Sequence, residues 1–293
     1  AALGAARIGE REMLALGGEV GWDTLDRFAE QWFQYSEELM INAIRQMPSG
    51  KATTFSRHDP FPGAEDGIDV KIDLEIRPED AMIEIDLRDN PDCLPCGLNL
   101  SQACTESSVL LGIFNSIQED VPTNAGSLRR VKMHLRENCV VGIPVHPTSC
   151  SVATTNVADR LGNGVARAIA ELGDGHGMAS TGSIIPPSIG VISGSSEKTG
   201  GAYVNQIFLG WGGGAAGPNV DAWLSIGHIG NAGGSYQDSI ELDEMRFPMR
   251  VVGRHFITDS GGAGRSRGGE AVYCEFGPVE GDMEVGYVSD GNE

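Results

Sequence analysis

Basic residues are in short supply. Lys and Arg total 21 against 41 Asp plus Glu, a formal charge of −20. Nucleic-acid affinity is dominated by Lys and Arg neutralising phosphates, so this balance argues against a nucleic-acid partner. It fits a strongly solvated acidic surface and leaves a divalent cation or a basic protein partner open. Long hydrophobic runs are missing too. No stretch approaches the roughly 18 apolar residues of a membrane span, and no membrane partner is expected. The opening AALGAARIGE has no charged-then-apolar leader. It is helix-like and starts without Met, which reads as an internal piece of a longer chain or a processed subunit. Cysteine is sparse: six residues, at 93, 96, 104, 139, 150 and 274. That is too few to staple a chain of this size, and it points to a reducing, cytoplasmic compartment. Cys93-Leu-Pro-Cys96 is a lone CxxC. A zinc site would need Cys104, Cys139 or Cys150 to complete it in space, which the spacing does not demand.

The common nucleotide and hydrolase signatures are absent as well. No GxxxxGK[ST] is present, no GxGxxG opens a helix after a strand, and HExxH does not occur; GxSxG is met only as Gly264-Arg-Ser-Arg-Gly268, inside a Gly-rich turn between strands rather than between a strand and a helix. The chain alone carries no recognisable ATP, dinucleotide, zincin or nucleophile-elbow site.

What is present is a globular composition, 40% apolar over 293 residues, enough to bury a substantial core. Glycine is abundant and uneven: of 41 residues, 14 precede residue 171 and 27 follow it. The spacing of Trp22, Leu25, Phe28, Trp32, Leu39, Ala43 and Met47 predicts a helix over 22–47, with its aromatics in the core and Pro48 closing it. IDVKIDLEI (68–76) and AMIEIDL (81–87) alternate with period two and predict an antiparallel hairpin. A helix follows over 101–118, then a strand in RRVKMHLRE (129–137) and a short apolar extended run over 139–145. A third helix covers 154–172, with Thr154 or Thr155 as N-cap and Gly173 as its stop. SIIPPSIGVISG, AYVNQIFLG, DAWLSIGHIG, MRVVGRHFIT, AVYCEF and MEVGYV read as strands joined by Gly turns. The expected fold is therefore α+β with mainly antiparallel sheets and about three substantial helices. An α+β part (1–175) and a Gly-rich, β-dominated part (176–293) are expected to pack as one unit.

Candidate site residues cluster in two places. Asn156, Asp159 and Asn163 share a face at the start of the third helix, where exposed N–H groups favour an anion; a solvated polar face is the alternative. DSGGAGRSRGGE (259–270) sets Arg265 and Arg267 among five glycines. It is either an anion cradle of backbone N–H groups and guanidinium forks or a tight turn whose arginines pair with nearby carboxylates. Among the histidines, His146 precedes the polar helix start and His228 leads into the loop GNAGGSYQDS. Either is a candidate for proton transfer.

The segments DLRDNPDCLPCGLNLSQACTESSV, SVATTNVADRLGNGVARAIAELG, GWGGGAAGPNVDAWLSIGHIGNAGGSYQDSIELDEMRFPMRV and DSGGAGRSRGGEAVYCEF occur in that order. Together they resemble the hydantoinase B/oxoprolinase family. The most specific part is Glu244-Met-Arg-Phe-Pro-Met-Arg-Val251 followed by Ser260 to Gly269. The resemblance implies a middle-to-C-terminal portion of a subunit about twice this length, whose first half carries His and Asp residues that look like ligands for a divalent metal such as Zn or Mn. It implies a hydantoinase A-type partner, similar to actin-like ATPases, that holds ATP and Mg and phosphorylates a carbonyl oxygen of a small substrate. The B-type subunit then completes hydrolysis of a cyclic amide such as hydantoin or 5-oxoproline, or carboxylation of a ketone such as acetone or acetophenone. A scaffold role without catalysis is a third reading. An amide carbonyl is a poor electrophile, and phosphorylating its oxygen makes that oxygen a leaving group. The receiving site must then bind an anion, exclude water and place a nucleophile. On this reading the candidates are His146, Asp159 and His228 for catalysis and Asn156, Arg160, Arg265 and Arg267 for the anion; any metal ligands on this chain are unknown.

Overall fold

The computed structural model describes residues 1–181, 186–197, 200–226 and 236–291. In chain order the elements are α1 (Ala2–Val20), α2 (Trp22–Gln46), β1 (Gly50–His58), β2 (Ile68–Arg77), β3 (Met82–Asp86), α3 (Gln102–Phe114), α4 (Ala125–Leu128), β4 (Val131–His134), α5 (Val157–Leu172), β5 (Val191–Ser196), β6 (Gly201–Gln206), α6 (Ile240–Arg246), β7 (Met249–Phe256), β8 (Val272–Pro278) and β9 (Met283–Gly286).

Alternation along IDVKIDLEI becomes a strand because Ile68, Val70, Ile72, Leu74 and Ile76 all face inward and are essentially inaccessible. This strand is central to a four-stranded sheet ordered β1-β2-β3-β4. β1 and β3 flank β2 antiparallel, and β4 joins β3 in parallel. Helices α5 and α3 pack together, with α5 against β1 and β2. The approach is close: a Cβ on Gly164 would lie 2.5 Å from Ile72 Cδ1, so a larger residue there would have to push the Ile72 side chain aside. Thr54 donates to the Gly164 carbonyl at 3.0 Å across the same contact. Met40, Ile44, Leu98, Val109, Ile113, Leu161 and Val165 complete this core.

A smaller core joins Ile192, Ile207, Leu209 and Met249. It lies among a three-stranded sheet, β6-β5-β9, and the β7-β8 pair, all antiparallel. The architecture is thus mixed α+β with antiparallel pairing dominant.

Three expectations are corrected. Trp22, Phe28 and Trp32 do not enter the core but stand exposed; α2 buries Ser36, Met40, Ala43 and Ile44 instead. Its first half extends past the sheet beside α1, in which only Gly17 is buried. The third helix begins at Val157, and Asn156 rather than a threonine is its N-cap, with no side-chain cap bond. Within DAWLSIGHIG the described residues 221–226 form no strand. β1, in turn, escapes sequence reading because its inward positions Thr54 and His58 are polar and buried while Phe55 points out.

Candidate functional site

The polar start of α5 is not a solvated face. Asn156, Asp159, Arg160 and Asn163 are all buried, and packing against β1 brings His58 to them. His58 Nδ1 lies 2.8 Å from the Asp59 carbonyl, and Asn156 Nδ2 lies 3.1 Å from His58 Nε2. An amide nitrogen can only donate, so Nε2 accepts and the proton sits on Nδ1, directed at the Asp59 carbonyl; this tautomer is assigned from the hydrogen-bond network. The same amide donates to the Val288 carbonyl at 3.1 Å. Asp290 is fully buried. Its Oδ1 accepts from the Asp59 N–H at 2.7 Å and its Oδ2 from Arg160 Nε at 2.5 Å. Asp159 Oδ2 accepts from Asn163 Nδ2 at 2.6 Å. Asn156 and Arg160 are therefore committed to residues 288–290, and an anion would have to displace Asp290 to reach Arg160. The arrangement clasps the chain's last described residues onto β1 and α5.

The Gly/Arg loop separates its two arginines. Arg267 is held on every side. Its N–H donates to Asp221 Oδ1 at 2.7 Å, its carbonyl accepts from Ala222 at 2.8 Å, and its guanidinium meets Asp259 at 2.7 Å and Glu270 at 3.6 Å. Arg265 is exposed and, among the described residues, has neither a hydrogen-bonded nor an ion-paired partner. The loop folds against the 210–216 strip backbone to backbone. A Cβ on Gly213 would stand 2.3 Å from Gly269 C, and one on Gly269 would stand 2.5 Å from the Trp223 carbonyl. Side chains cannot be accommodated here, which is why glycine recurs on both strips. Between them opens a cavity of about 550 Å³, walled by backbone, small residues and Trp211, with Ser180, Ser188, Ser260 and Ser266 as its hydroxyls and no charged side chain among its described lining residues.

His146 stands exposed before Pro147, and no hydrogen bond joins it to the clasp. His228 lies outside the described residues. Among those that are described, no group of three His, Cys, Asp or Glu side chains is placed to hold a metal ion. All six cysteines are free. Burial pushes the Cys93, Cys139 and Cys150 thiols up, so they persist as thiols rather than as reactive thiolates. No described helix is long and apolar enough to cross a membrane.

A buried carboxyl outside these clusters is strongly raised. Asp243 in α6 is 6% exposed, and desolvation together with neighbouring Asp238 raises its pKa to about 6 against the pull of Arg246 and Arg254. Sequence reasoning missed it. The only available signal is the acidic run in SIELDEMRFP, which reads as a solvated helix face.

The mixed α+β body thus carries a Gly-walled chamber of about 550 Å³. The chain belongs to the hydantoinase B/oxoprolinase family, which it matches over residues 1–293. It is 25% identical over 292 residues to the beta subunit of the caprolactamase of Pseudomonas jessenii, covering 99% of this chain and 49% of that protein. It is 23% identical over 304 residues to the B-type subunit of a putative D-/L-hydantoinase of Pseudomonas sp. (strain NS671), covering 100% of this chain and 48% of that protein. Two solved structures share the fold. The crystal structure of the ATP-dependent caprolactamase from Pseudomonas jessenii matches with a TM-score of 0.78 at 22% identity, over 94% of this chain and 47% of that one. Nucleotide-free acetone carboxylase matches with a TM-score of 0.73 at 16% identity, over 96% and 39%. The chain thus spans about half the length of the curated relatives it matches.

Proposed function

We propose that this chain is part of an ATP-dependent enzyme that opens a cyclic amide after its carbonyl oxygen has been phosphorylated. The observation that carries this reading is the match across the whole chain to a family whose similar members are named for a lactam and for hydantoin. The uncharged 550 Å³ chamber is of a size and polarity that suit a small neutral ring. ATP and Mg fall to a separate A-type ATPase subunit, since this sequence has no phosphate loop. A zinc or manganese ion, where the reaction uses one, falls to the part of the relatives' length that this chain does not match. The exposed apolar side chains of α1 and α2, among them Leu3, Leu14, Phe28 and Trp32, are consistent with work inside a larger assembly.

A second reading, ketone carboxylation, is favoured by the shared fold with acetone carboxylase. One assay separates the two. The chain is co-expressed with an A-type subunit and the remainder of the B-type subunit, and ADP release is followed with a panel of lactams, hydantoin and ketones, with and without bicarbonate. Ring-opening that needs ATP and ignores bicarbonate supports the hydrolase. ATP turnover that needs both a ketone and bicarbonate replaces it with the carboxylase.

A further inference from the structure

Arg265 is an unusual residue for so acidic a chain. Its neighbour two positions on is locked to Asp259 and Glu270, and many other arginines make ion pairs, yet Arg265 has none among the described residues. It lines a second cavity of about 260 Å³, bounded by the turn that follows α5 and by the 216–218 strip. This cavity and the uncharged chamber share three wall residues, Ala179, Ala216 and Ser266. The two are adjoining compartments with Ser266 at the partition and Arg265 next to it in sequence.

The turn is built to present His176. Gly177 has φ +72°, and a Cβ there would lie 2.4 Å from the Ala166 carbonyl and from Ala170 N. Only glycine lets the turn press against α5 with His176 on the cavity side. His176 Nδ1 is buried and, among the described residues, has no hydrogen-bond partner, although buried ring nitrogens ordinarily find one. The compartment also carries charge of the other sign. Asp174 lines it, is exposed, and makes no ion pair with Arg265. The carbonyl end of α5, at Ala170 and Gly173, borders it as well and favours a cation nearby. These groups account for an arginine stationed there but do not close its fork, whose N–H donors stay open to a planar or tetrahedral oxyanion.

We propose that the two compartments form one two-part binding site: an oxyanion, phosphoryl or carboxylate, is held at Arg265, and the uncharged remainder of the same small molecule occupies the Gly-walled chamber. This deepens the reading given above, since a phosphoryl-activated carbonyl compound and its ring-opened carboxylate product both have that form. It is tested without turnover, so its failure and the failure of the enzymatic reading are distinguishable.

The test uses the chain as it stands, with inorganic phosphate, acetate, acetyl phosphate and pentanoate as probes at fixed ionic strength. Binding is read by calorimetry and by the shift of the thermal midpoint, which a ligand selective for the folded state raises. Wild type should bind acetyl phosphate or pentanoate at least tenfold more tightly than inorganic phosphate or acetate, because only acetyl phosphate and pentanoate carry an uncharged remainder that extends from Arg265 toward the chamber. Arg265→Gln should weaken the binding of every probe at least tenfold with its own unliganded midpoint unchanged. Arg267→Gln, whose fork is already engaged, should bind within threefold of wild type. Preference for acetyl phosphate over pentanoate assigns the Arg265 compartment to the activated intermediate, and the reverse assigns it to the carboxylate product. Binding by Arg265→Gln equal to wild type, or no wild-type binding of any probe at tens of millimolar, overturns the proposal.

Discussion

Asp290 concentrates more consequence in one side chain than any other buried acid here. Both of its oxygens are used, one by a backbone N–H and one by Arg160, and neither residue is appreciably exposed. Removing one member of a buried pair leaves the other charged and desolvated, at a cost of about 3–5 kcal/mol. Asp290→Asn is therefore expected to lower the urea-unfolding free energy by that amount. Arg267→Gln, at an exposed pair, should stay within about 1 kcal/mol of wild type. Asp243 makes the opposite contribution. Its folded pKa of about 6 lies above the ordinary 3.8, so the folded state holds its proton more tightly than the unfolded chain does. The stability this gives is fully present below about pH 4 and is lost as pH rises through about 6. Asp243→Asn should accordingly stabilise the protein by roughly 2–3 kcal/mol at pH 8 and change little near pH 3. Equal effects at both pH values would contradict the assignment. Glu84, held down to about 2 chiefly by Arg77, loses its own contribution between about pH 4.5 and pH 2, but equally in wild type and variant, so it cancels from the comparison.

At the scale of elements, periodicity located α2, α3, α5 and β2 to β4 but not how much of a helix the rest of the fold covers. The apolar face of α2 runs along its whole length. Its aromatic half, Trp22 to Trp32, is the more hydrophobic to read, yet only Met40, Ala43, Ile44 and the C-cap Met47 enter the core. Ile44→Ala should cost about 2–5 kcal/mol in thermal or urea unfolding, whereas Trp32→Ala should shift stability by less than about 1 kcal/mol; reversed magnitudes would return the aromatics to the core. β1 was illegible for the converse reason: its buried positions are polar because they hydrogen-bond to α5 and its N-cap, roughly a hundred residues away in sequence. The clasp was half legible. The polar set at Asn156–Asn163 is visible in the sequence, but its partners His58 and Asp290 are set by tertiary packing that no local spacing records. Of the two alternatives read for the Gly/Arg loop, Arg267 meets the paired one; Arg265 has no ion pair among the described residues, and an anion there is the proposal made above.

For the whole molecule, fold class and family followed from ordered motifs that span the chain, and the sequence and structural comparisons agree with them. Under the proposed function, the oxygen of a cyclic amide is phosphorylated, one water attacks the carbon and opens the ring to an acyl phosphate, and a second water attacking the same carbon expels phosphate and leaves the carboxylate. The most direct measurement uses a lactam labelled with heavy oxygen at its carbonyl, turned over by the assembled enzyme with ATP. Mass spectrometry of the released inorganic phosphate should find the label there, with unlabelled water oxygen in the carboxylate formed. Unlabelled phosphate, with all of the heavy oxygen retained in the ring-opened product, would contradict the account.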